Sequence, residues 1–393
     1  MIQKLIHTPE GVRDIYGDEW HRKTHIKHRL HEMLKLYGYR DIETPTFEYS
    51  DIYSEIGTTP ENEMYRFFDN RGNMMVLRPD FTPSIARCAA KYFPTDSMPI
   101  RLCYEGNVYI NRSDLQGKLK ETTQMGAELI GPHASADSDG EMVCLVIESL
   151  LGAGFTDFQV CLGNASYFKG LCEEEQLTDE QIDELRSYIS IKNYFGAKEY
   201  LDSINASEKF IKGIVDVSSI SSFDEIDKVK KATTNKISLD ALNSLSDVYD
   251  VVCMNGLQKY ISLDLCTISK FHYYTGIIFK AYTYGTGDAI CKGGRYDKLL
   301  DKFGKHCPAV GFVFMVDDIM TALNAQNIRE NIKSKETWIV YTENAKAKAY
   351  EEAAKSRQKG IRTSLVPWDN NLNDEYYKKY ADEHEITELI ILK

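Results

Sequence analysis

The segment Leu77-Arg78-Pro79-Asp80-Phe81-Thr82-Pro83 leads into a stretch that predicts a helix over Thr82 to Tyr92. Pro83 fits the first turn of that helix, because the N–H that proline lacks has no helical partner there. Asp80 and Thr82 stand where aspartate and threonine commonly cap a helix. On this segment alone, capping is the default role for both side chains and contact with a ligand is the alternative.

A second segment, Lys292-Gly293-Gly294-Arg295-Tyr296-Asp297, combines two glycines with charged and aromatic residues. Adjacent glycines let the backbone approach another group closely or adopt positive φ angles. The residues that follow can lead into a short helix over Leu299 to Phe303. An ordinary turn with a solvated Asp297 is the alternative interpretation.

Gln124, Gly126 and Glu128 alternate along a predicted strand, so the three residues share one face of it. A glutamine and a glutamate on an inward face, with a glycine between them, leave room for a small polar ligand. The alternative is an internal salt bridge or a hydrogen bond to a neighbouring strand, the commoner role of such side chains.

Tyr273 and Tyr274 stand at the start of a strand predicted over 273–284. Adjacent residues of a strand point to opposite faces, so only one of the two rings is expected to face a pocket. A buried tyrosine usually needs a partner for its hydroxyl. Packing in the core is the alternative role for either ring.

The composition favours a globular protein whose partners are small molecules or other proteins. The chain has 393 residues, 43% of them hydrophobic, and a net charge of −12. Proteins that bind RNA usually offer a basic face, because phosphate neutralisation dominates their affinity. The acidic balance therefore argues against RNA as the main partner.

Cysteine usage and hydropathy predict a cytoplasmic protein. The nine cysteines are scattered and show no CxxC spacing, as expected for reduced thiols without a zinc site. No apolar run approaches the length of about 18 residues that a membrane span requires, and Met1 to Glu10 lacks the apolar region of a secretory signal. His21, His25, His28 and His31 lie at helical spacing, but no carboxylate or thiol accompanies them in a known ligand spacing, so a solvated or interface helix face is expected rather than a metal site.

The order of predicted elements indicates an α+β fold with two domains. A strand-rich core with flanking helices spans residues 1–325 and is interrupted by a helical insertion at about 167–252. A polar linker follows. Residues 335–393 then read βαβαβ, which predicts a small α/β domain with a mostly parallel sheet.

Six motifs occur in an order that resembles the class II core of histidyl-tRNA synthetases. They are TPEGVRD at 8–14, LRPDFT at 77–82, QMGAE at 124–128, YYTGIIF at 273–279, GGRYD at 293–297 and AVGF at 309–312. One such motif would be weak, but six in order are specific. The resemblance implies an antiparallel sheet flanked by helices, in a protein that is usually a dimer.

Three positions depart from that enzyme family. Alignment of the motifs places Ile110, Ser269 and Asp318 where the synthetases carry arginines that hold ATP phosphates and the reacting carboxylate. Guanidinium presents a planar fork of donors to phosphate, whereas isoleucine has no donor and aspartate repels phosphate. The sequence therefore predicts that adenylate formation is lost and that the chain has no catalytic residues.

A pocket kept beside a lost reaction centre resembles the regulatory subunit of ATP phosphoribosyltransferase, a synthetase paralogue of histidine biosynthesis. Its LRPD, where the enzymes have LRPE, matches Asp80. The resemblance implies a non-catalytic subunit that binds and activates the short catalytic subunit and mediates histidine feedback, as a homodimer within a hetero-oligomer. No cofactor is expected, since the chain shows neither a P-loop nor a Rossmann fingerprint.

The resemblance also implies a histidine-binding site. It places Asp80, Thr82 and Gln124 near the ligand ammonium, and Glu128, Tyr273 and Tyr274 near the imidazole. Carboxylate and amide oxygens accept hydrogen bonds from an ammonium and from a ring N–H, so these roles are chemically sensible. Because Ser269 replaces an arginine, no residue is assigned to the ligand carboxylate.

Two other functions remain as alternatives. An active histidyl-tRNA synthetase is opposed by Ile110, Ser269 and Asp318. A sensor of uncharged tRNA would need a basic face, and the last 58 or so residues, which resemble a shortened anticodon-binding domain, have a roughly balanced charge.

Overall fold

The computed structural model describes residues 6–94, 98–112, 118–131, 135–267, 273–328, 336–384 and 386–393. The chain divides into two compact units, Met1–Arg329 and Glu330–Lys393. Within the described residues, no helix is both long and apolar enough to cross a membrane.

The helices of the described residues are α1 Gly17–Leu36, α2 Asp51–Ser54, α3 Thr82–Tyr92, α4 Ala136–Gly152, α5 Ala165–Glu175, α6 Asp179–Ser190, α7 Tyr194–Ser203, α8 Glu208–Val215, α9 Ile226–Ala232, α10 Lys236–Met254, α11 Val316–Ala325, α12 Lys346–Gln358 and α13 Asp374–Glu383. The strands are β1 Arg40–Asp41, β2 Phe47–Tyr49, β3 Arg66–Phe68, β4 Met74–Leu77, β5 Ile100–Tyr109, β6 Glu121–Ile130, β7 Phe158–Asn164, β8 Ile261–Leu263, β9 Ile277–Thr283, β10 Cys291–Arg295, β11 Ala309–Met315, β12 Glu336–Tyr341, β13 Arg362–Pro367 and β14 Glu388–Leu392.

The first unit is built on an eight-stranded sheet in the order β1-β5-β6-β11-β10-β9-β7-β8. All neighbouring strands pair antiparallel except β1 with β5 and β7 with β8. The alternation along β6 shows which face of the sheet covers the main apolar core. Met125 and Ala127 belong to that core, together with residues of α1 and α4. Gln124, Gly126 and Glu128 therefore occupy the other face, as the sequence predicted.

The other face of the sheet carries a second apolar cluster that surrounds polar groups. Phe81, directly before α3, and Ile85 of α3 pack there against Leu102 and Tyr104 of β5 and against Tyr296. Helix α3 has the bounds predicted from the sequence, with Pro83 in its first turn. This packing places the LRPDFT segment directly over the sheet.

The helical insertion lies between β7 and β8. It comprises α5 to α10, and several of these helices begin at a side chain that accepts a backbone N–H, as Thr178 does in a capping box with Gln181. Buried residues such as Leu201 and Phe210 join the main core. The insertion therefore packs as part of the first unit.

A separate three-stranded sheet, in the order β2-β4-β3, presents aromatic side chains to solvent. Its exposed residues are Phe47, Tyr49, Phe67, Phe68 and Met74, between 40% and 67% exposed. The rings of Phe47 and Phe67 meet edge to face, with centroids 6.1 Å apart.

The second unit has the βαβαβ order predicted from the sequence. Its strands pair in parallel in the order β13-β12-β14. A small core of Ile339 and Tyr341 packs against Ala349 and Ala353 of α12.

Candidate functional site

Glu128 is the centre of the polar groups on the sheet face opposite the main core. Its side chain is almost completely buried, with 1% of its surface exposed. One carboxylate oxygen accepts a hydrogen bond from Oγ1 of Thr82 at 3.0 Å, and the other accepts one from the hydroxyl of Tyr296. These bonds link β6 to α3 and to the segment after β10.

Glycines on the neighbouring strands make room for these side chains. Gly311 of β11 lies opposite Glu128, and a Cβ at Gly311 would stand 2.5 Å from Cδ of Glu128. Gly294 of β10 lies opposite Gly311, and a Cβ there would stand 2.6 Å from the ring of Tyr274. The glycines of AVGF and GGRYD thus permit close approach of pocket side chains rather than a turn.

Asp80 and Thr82 combine the two roles that the sequence left open. Oδ1 of Asp80 accepts the backbone N–H of Thr82 at 3.2 Å, at the start of α3. The hydroxyl of Thr82 donates to Glu128 instead of capping the helix. The two residues therefore organise the helix start and face the pocket at once.

The carboxyl groups of Glu128 and Asp80 are not both ionised near neutral pH. Burial, with a smaller contribution from the nearby Asp80, raises the pKa of Glu128 from 4.5 to about 8 against the opposing effect of the hydrogen bonds from Tyr296 and Thr82. Burial also raises the pKa of Asp80, to about 6. At pH 7 the pair therefore carries about one negative charge, which suits one cationic group of a ligand.

Gln124 carries a buried acceptor to which no described residue donates a hydrogen bond. Its side chain is 7% exposed, and Nε2 donates to Sδ of Met315 at 3.7 Å. Within the described residues, Oε1 has no hydrogen-bond partner. Buried polar atoms are normally satisfied, so an unused carbonyl oxygen on the pocket face indicates a missing donor.

The structure corrects the expectation for the paired tyrosines. The strand begins at Ile277, so Tyr273 and Tyr274 precede it and do not alternate across the sheet. Their ring centroids lie 4.7 Å apart, and Tyr273 also meets the ring of Tyr296 edge to face at 6.0 Å. Both rings therefore line the same side, contrary to the prediction that only one could face a pocket.

Two pocket residues escaped the sequence analysis. The first is Tyr296 of the GGRYD motif, whose hydroxyl donates to Glu128. The second is Tyr104, which lies opposite Gly126 and stacks on Phe81 with ring centroids 4.5 Å apart. Only the pairing of β5 with β6 would have pointed to Tyr104, because its own segment carries no distinctive pattern.

The arginines of the two leading motifs have structural roles. Arg78 donates to the carbonyl oxygens of Asn107 and Thr44, at 2.8 Å each, and its guanidinium covers the ring of Phe81 at 4.1 Å. Arg295 forms two hydrogen bonds with Asp139 of α4, at 2.7 and 3.1 Å. Both side chains are about 7% exposed, so they hold the elements around the pocket together.

Two of the three departures from the synthetases can be placed. Ile110 follows β5 directly, and its N–H donates to the carbonyl of Lys120 at 2.8 Å. Asp318 lies in the first turn of α11, where burial and then the charge of Asp288 raise the pKa of its carboxyl. The third, Ser269, lies outside the described residues.

One group of side chains has the composition of a metal site. The ligand atoms of His31, Asp41 and Cys103 all lie within 4.8 Å of one another. The same Asp41 carboxylate accepts from Nζ of Lys35 at 2.8 Å and lies 2.5 Å from Nε2 of His31. The Asp41 carboxylate therefore already has two polar partners, Lys35 and His31, and the group forms a hydrogen-bonded network.

A separate cavity of about 530 Å³ lies within the helical insertion, away from Glu128. Its floor includes Tyr167 and Leu171, and the charged groups at its rim pair with each other, as Lys209 does with Glu174 at 2.5 Å.

Comparison with known proteins gives consistent results along nearly the whole chain. The family model of histidyl-tRNA synthetase matches residues 11–319. Proteins named ATP phosphoribosyltransferase regulatory subunit are similar throughout: that of Clostridium acetobutylicum is 34% identical, covering 99% of this chain and 96% of its own. That of Thermoanaerobacter pseudethanolicus is 36% identical, covering 98% and 99%.

Solved structures agree on the fold. The crystal structure of an ATP phosphoribosyltransferase regulatory subunit/histidyl-tRNA synthetase from Bacillus halodurans superposes with a TM-score of 0.88 at 29% identity, over 99% of both chains. A histidyl-tRNA synthetase from Nostoc has a TM-score of 0.83 at 20% identity, covering 99% of this chain and 92% of its own. The predicted class II synthetase-like architecture is confirmed.

Proposed function

The chain belongs to the family of ATP phosphoribosyltransferase regulatory subunits, which share the histidyl-tRNA synthetase fold, and we propose that its pocket binds free histidine as a feedback signal. The single observation that carries the proposal is Oε1 of Gln124, a buried acceptor on the pocket face of β6 that has no partner among the residues the structure describes. Beside it stand carboxyl groups that together hold about one negative charge at pH 7.

The ammonium and the imidazole of a histidine molecule both find suitable partners. The ammonium takes Oε1 of Gln124 and the carboxylate of Asp80 as acceptors, and Thr82 holds this end of the pocket together through its bond to Glu128. The imidazole donates to Glu128 and packs against Tyr273 and Tyr274. A hydrogen bond to a charged group contributes about 1.5–3 kcal/mol, so two or three such bonds give measurable selectivity.

The same pocket lacks the groups needed for aminoacylation. Ile110 and Asp318 stand where the synthetases have arginines that handle ATP, and an aspartate there disfavours phosphate. The protein is thus a non-catalytic subunit, and phosphoribosyl transfer is carried out by a separate catalytic chain. Histidine changes that activity only if it binds two states of the complex with different affinities.

The exposed aromatic sheet supports a homodimer within the complex. Phe47 and Tyr49 of β2 are each 55% exposed, and Phe67 of β3 is 40% exposed on the same face of the small sheet, since Tyr49 and Phe67 both pair with Met75 of β4. Contiguous exposed aromatic surface usually marks an interface. A second copy of this chain is the proposed occupant.

The proposed partner is the short catalytic subunit, and the proposed location is the cytoplasm. The net charge of −12 gives no support for tRNA as a ligand. Activation acts through ordering of the partner's assembly, since this chain supplies no catalytic group.

Reconstitution with the short catalytic subunit from the same genome tests the proposal. A stable hetero-oligomer is expected in size-exclusion chromatography with light scattering. Phosphoribosyl transfer is expected to rise strongly on mixing and to fall when histidine is added. A catalytic subunit that is equally active alone, together with no complex on the column, would show the proposal to be wrong.

A further inference from the structure

Lys292 lies on the same face of the sheet as the pocket. In β10 it pairs with Val313 of β11, and Val313 pairs with Gly126 of β6. Residues opposite each other in antiparallel strands share a face, so Lys292 lies in one row across the sheet with Gly126. Gly126 in turn lies between Gln124 and Glu128 along β6. Two strand spacings separate Gly126 from Lys292, so their Cα atoms lie about 10 Å apart.

The positive charge of Lys292 is poorly compensated. It stands opposite Lys280 of β9, and like charges in that position repel. Within the described residues, neither lysine forms an ion pair or a side-chain hydrogen bond. Burial lowers the pKa of both, and the charge of Lys292 lowers that of Lys280 further.

The nearby carboxylates do not neutralise the positive charges of Lys292 and Lys280. Asp288 and Asp318 both favour the charged form of Lys292, but Lys118 and Arg112 oppose them. Asp288 already forms an ion pair with Lys118. The region therefore has the capacity for one more anionic group next to a half-buried ammonium.

We infer that Lys292 binds the carboxylate of the amino acid whose ammonium is held by Gln124 and Asp80. A free amino acid is a zwitterion, and the other residues of the proposed histidine site provide partners only for its ammonium and its imidazole. Val313 lies between Lys292 and Gly126 and forms an apolar floor, and the flexible four-carbon stem of lysine lets its ammonium reach across this floor. The inference rests on the proposed function, and it makes Lys292 the residue that selects an amino acid over an amine.

Binding of matched ligands to the purified full-length chain tests the inference. Isothermal titration would compare L-histidine with L-histidinamide, which keeps the ammonium and the imidazole but has no carboxylate charge. Wild-type protein is expected to prefer L-histidine by about tenfold or more, the effect of one charge-assisted hydrogen bond. Lys292→Met is expected to reduce this preference to near unity, and Lys292→Arg to retain it.

Lys280→Met is the matched control, because Lys280 lies in the same row but one strand farther from Gly126. It is expected to keep the wild-type preference. Melting curves would establish that each variant is folded, and Lys292→Gln serves as a second neutral variant if the methionine variant is not.

The outcomes separate the inference from the proposed function. A wild-type preference in folded Lys292→Met or Lys292→Gln, or no preference in the wild type, would overturn the role of Lys292 while histidine binding itself stands. If wild-type protein binds neither ligand, the proposed function is wrong and the inference falls with it.

Discussion

Gly311 lies directly opposite Glu128 on the neighbouring strand, and a Cβ at Gly311 would overlap the Glu128 carboxylate. The buried acid of the pocket thus occupies space that exists only because the facing residue has no side chain. Its position in turn sets the bonds to Thr82 and Tyr296.

Gly311→Ala is therefore expected to displace the Glu128 carboxylate. Overpacking at a buried site typically lowers the free energy of unfolding by about 1–3 kcal/mol. Histidine affinity should fall by about tenfold or more, the effect of losing one charge-assisted hydrogen bond. Gly287→Ala is the control, because a Cβ at Gly287 meets no heavy atom within 4 Å. Urea unfolding and histidine titration would measure both effects, and an unchanged affinity in Gly311→Ala would contradict the expectation.

Glu128→Ala and Tyr274→Phe are each expected to weaken histidine feedback while leaving activation of the catalytic subunit largely intact. The physical reason is linkage, since typical allosteric couplings are about 1–3 kcal/mol and one charge-assisted bond supplies most of that. The histidine concentration for half inhibition should rise about tenfold or more. If Glu128 is mainly a structural partner of Thr82 and Tyr296, Glu128→Ala would instead lose activation and thermal stability together. Inhibition and melting curves of each variant distinguish the two results.

The stability of the unliganded protein should fall as pH rises from about 5 to 8 through Glu128. The native carboxyl has a pKa of about 8 against 4.5 for the ordinary group, because it is buried. The native state therefore binds more protons than the unfolded state in this window. Its contribution is fully present below pH 4.5 and is lost as pH rises through 8. Glu128→Gln cannot ionise, so its stability relative to wild type should grow by about 1 kcal/mol per pH unit. Urea unfolding at several pH values measures the difference, and parallel curves would contradict it.

Purified protein should show no histidine-dependent exchange of pyrophosphate into ATP. Ile110 and Asp318 replace the phosphate-binding arginines, and the acidic side chain repels the nucleotide. A histidyl-tRNA synthetase assayed in parallel provides the positive control. Exchange above a reaction without protein would identify the chain as an active enzyme.

Phe47→Glu should convert the proposed homodimer of the isolated chain into a monomer, because Phe47 lies in the exposed aromatic cluster with Tyr49 and Phe67. A buried, unpaired carboxylate in an apolar interface is strongly unfavourable. Phe195→Glu is the matched control, since Phe195 is 74% exposed on α7 of the helical insertion. Light scattering of both variants gives the masses directly. A dimer that persists in Phe47→Glu would mean that the aromatic sheet is not the interface.

The sequence by itself determined the architecture and most of the site. Periodicity and motif order predicted the helix over Thr82 to Tyr92, the antiparallel core with its insertion, and the parallel C-terminal sheet. Alternation placed Gln124 and Glu128 on one face, because side chains of a strand alternate with a fixed period of two. The substitutions at Ile110 and Asp318 required no structure to be recognised.

Tertiary structure decided the features that depend on pairing between distant segments. The strand after Tyr274 begins only at Ile277, so both tyrosines can face the same side, which alternation had excluded. The register of β6, β11 and β10 decides which residues lie near Glu128. It places Gly311 opposite Glu128, Tyr296 within reach of its carboxylate, and Lys292 in the row of Gly126. Local pattern fixes a residue's face, but its neighbour across the sheet depends on which strands pair and in what register, and only the packed fold settles that pairing.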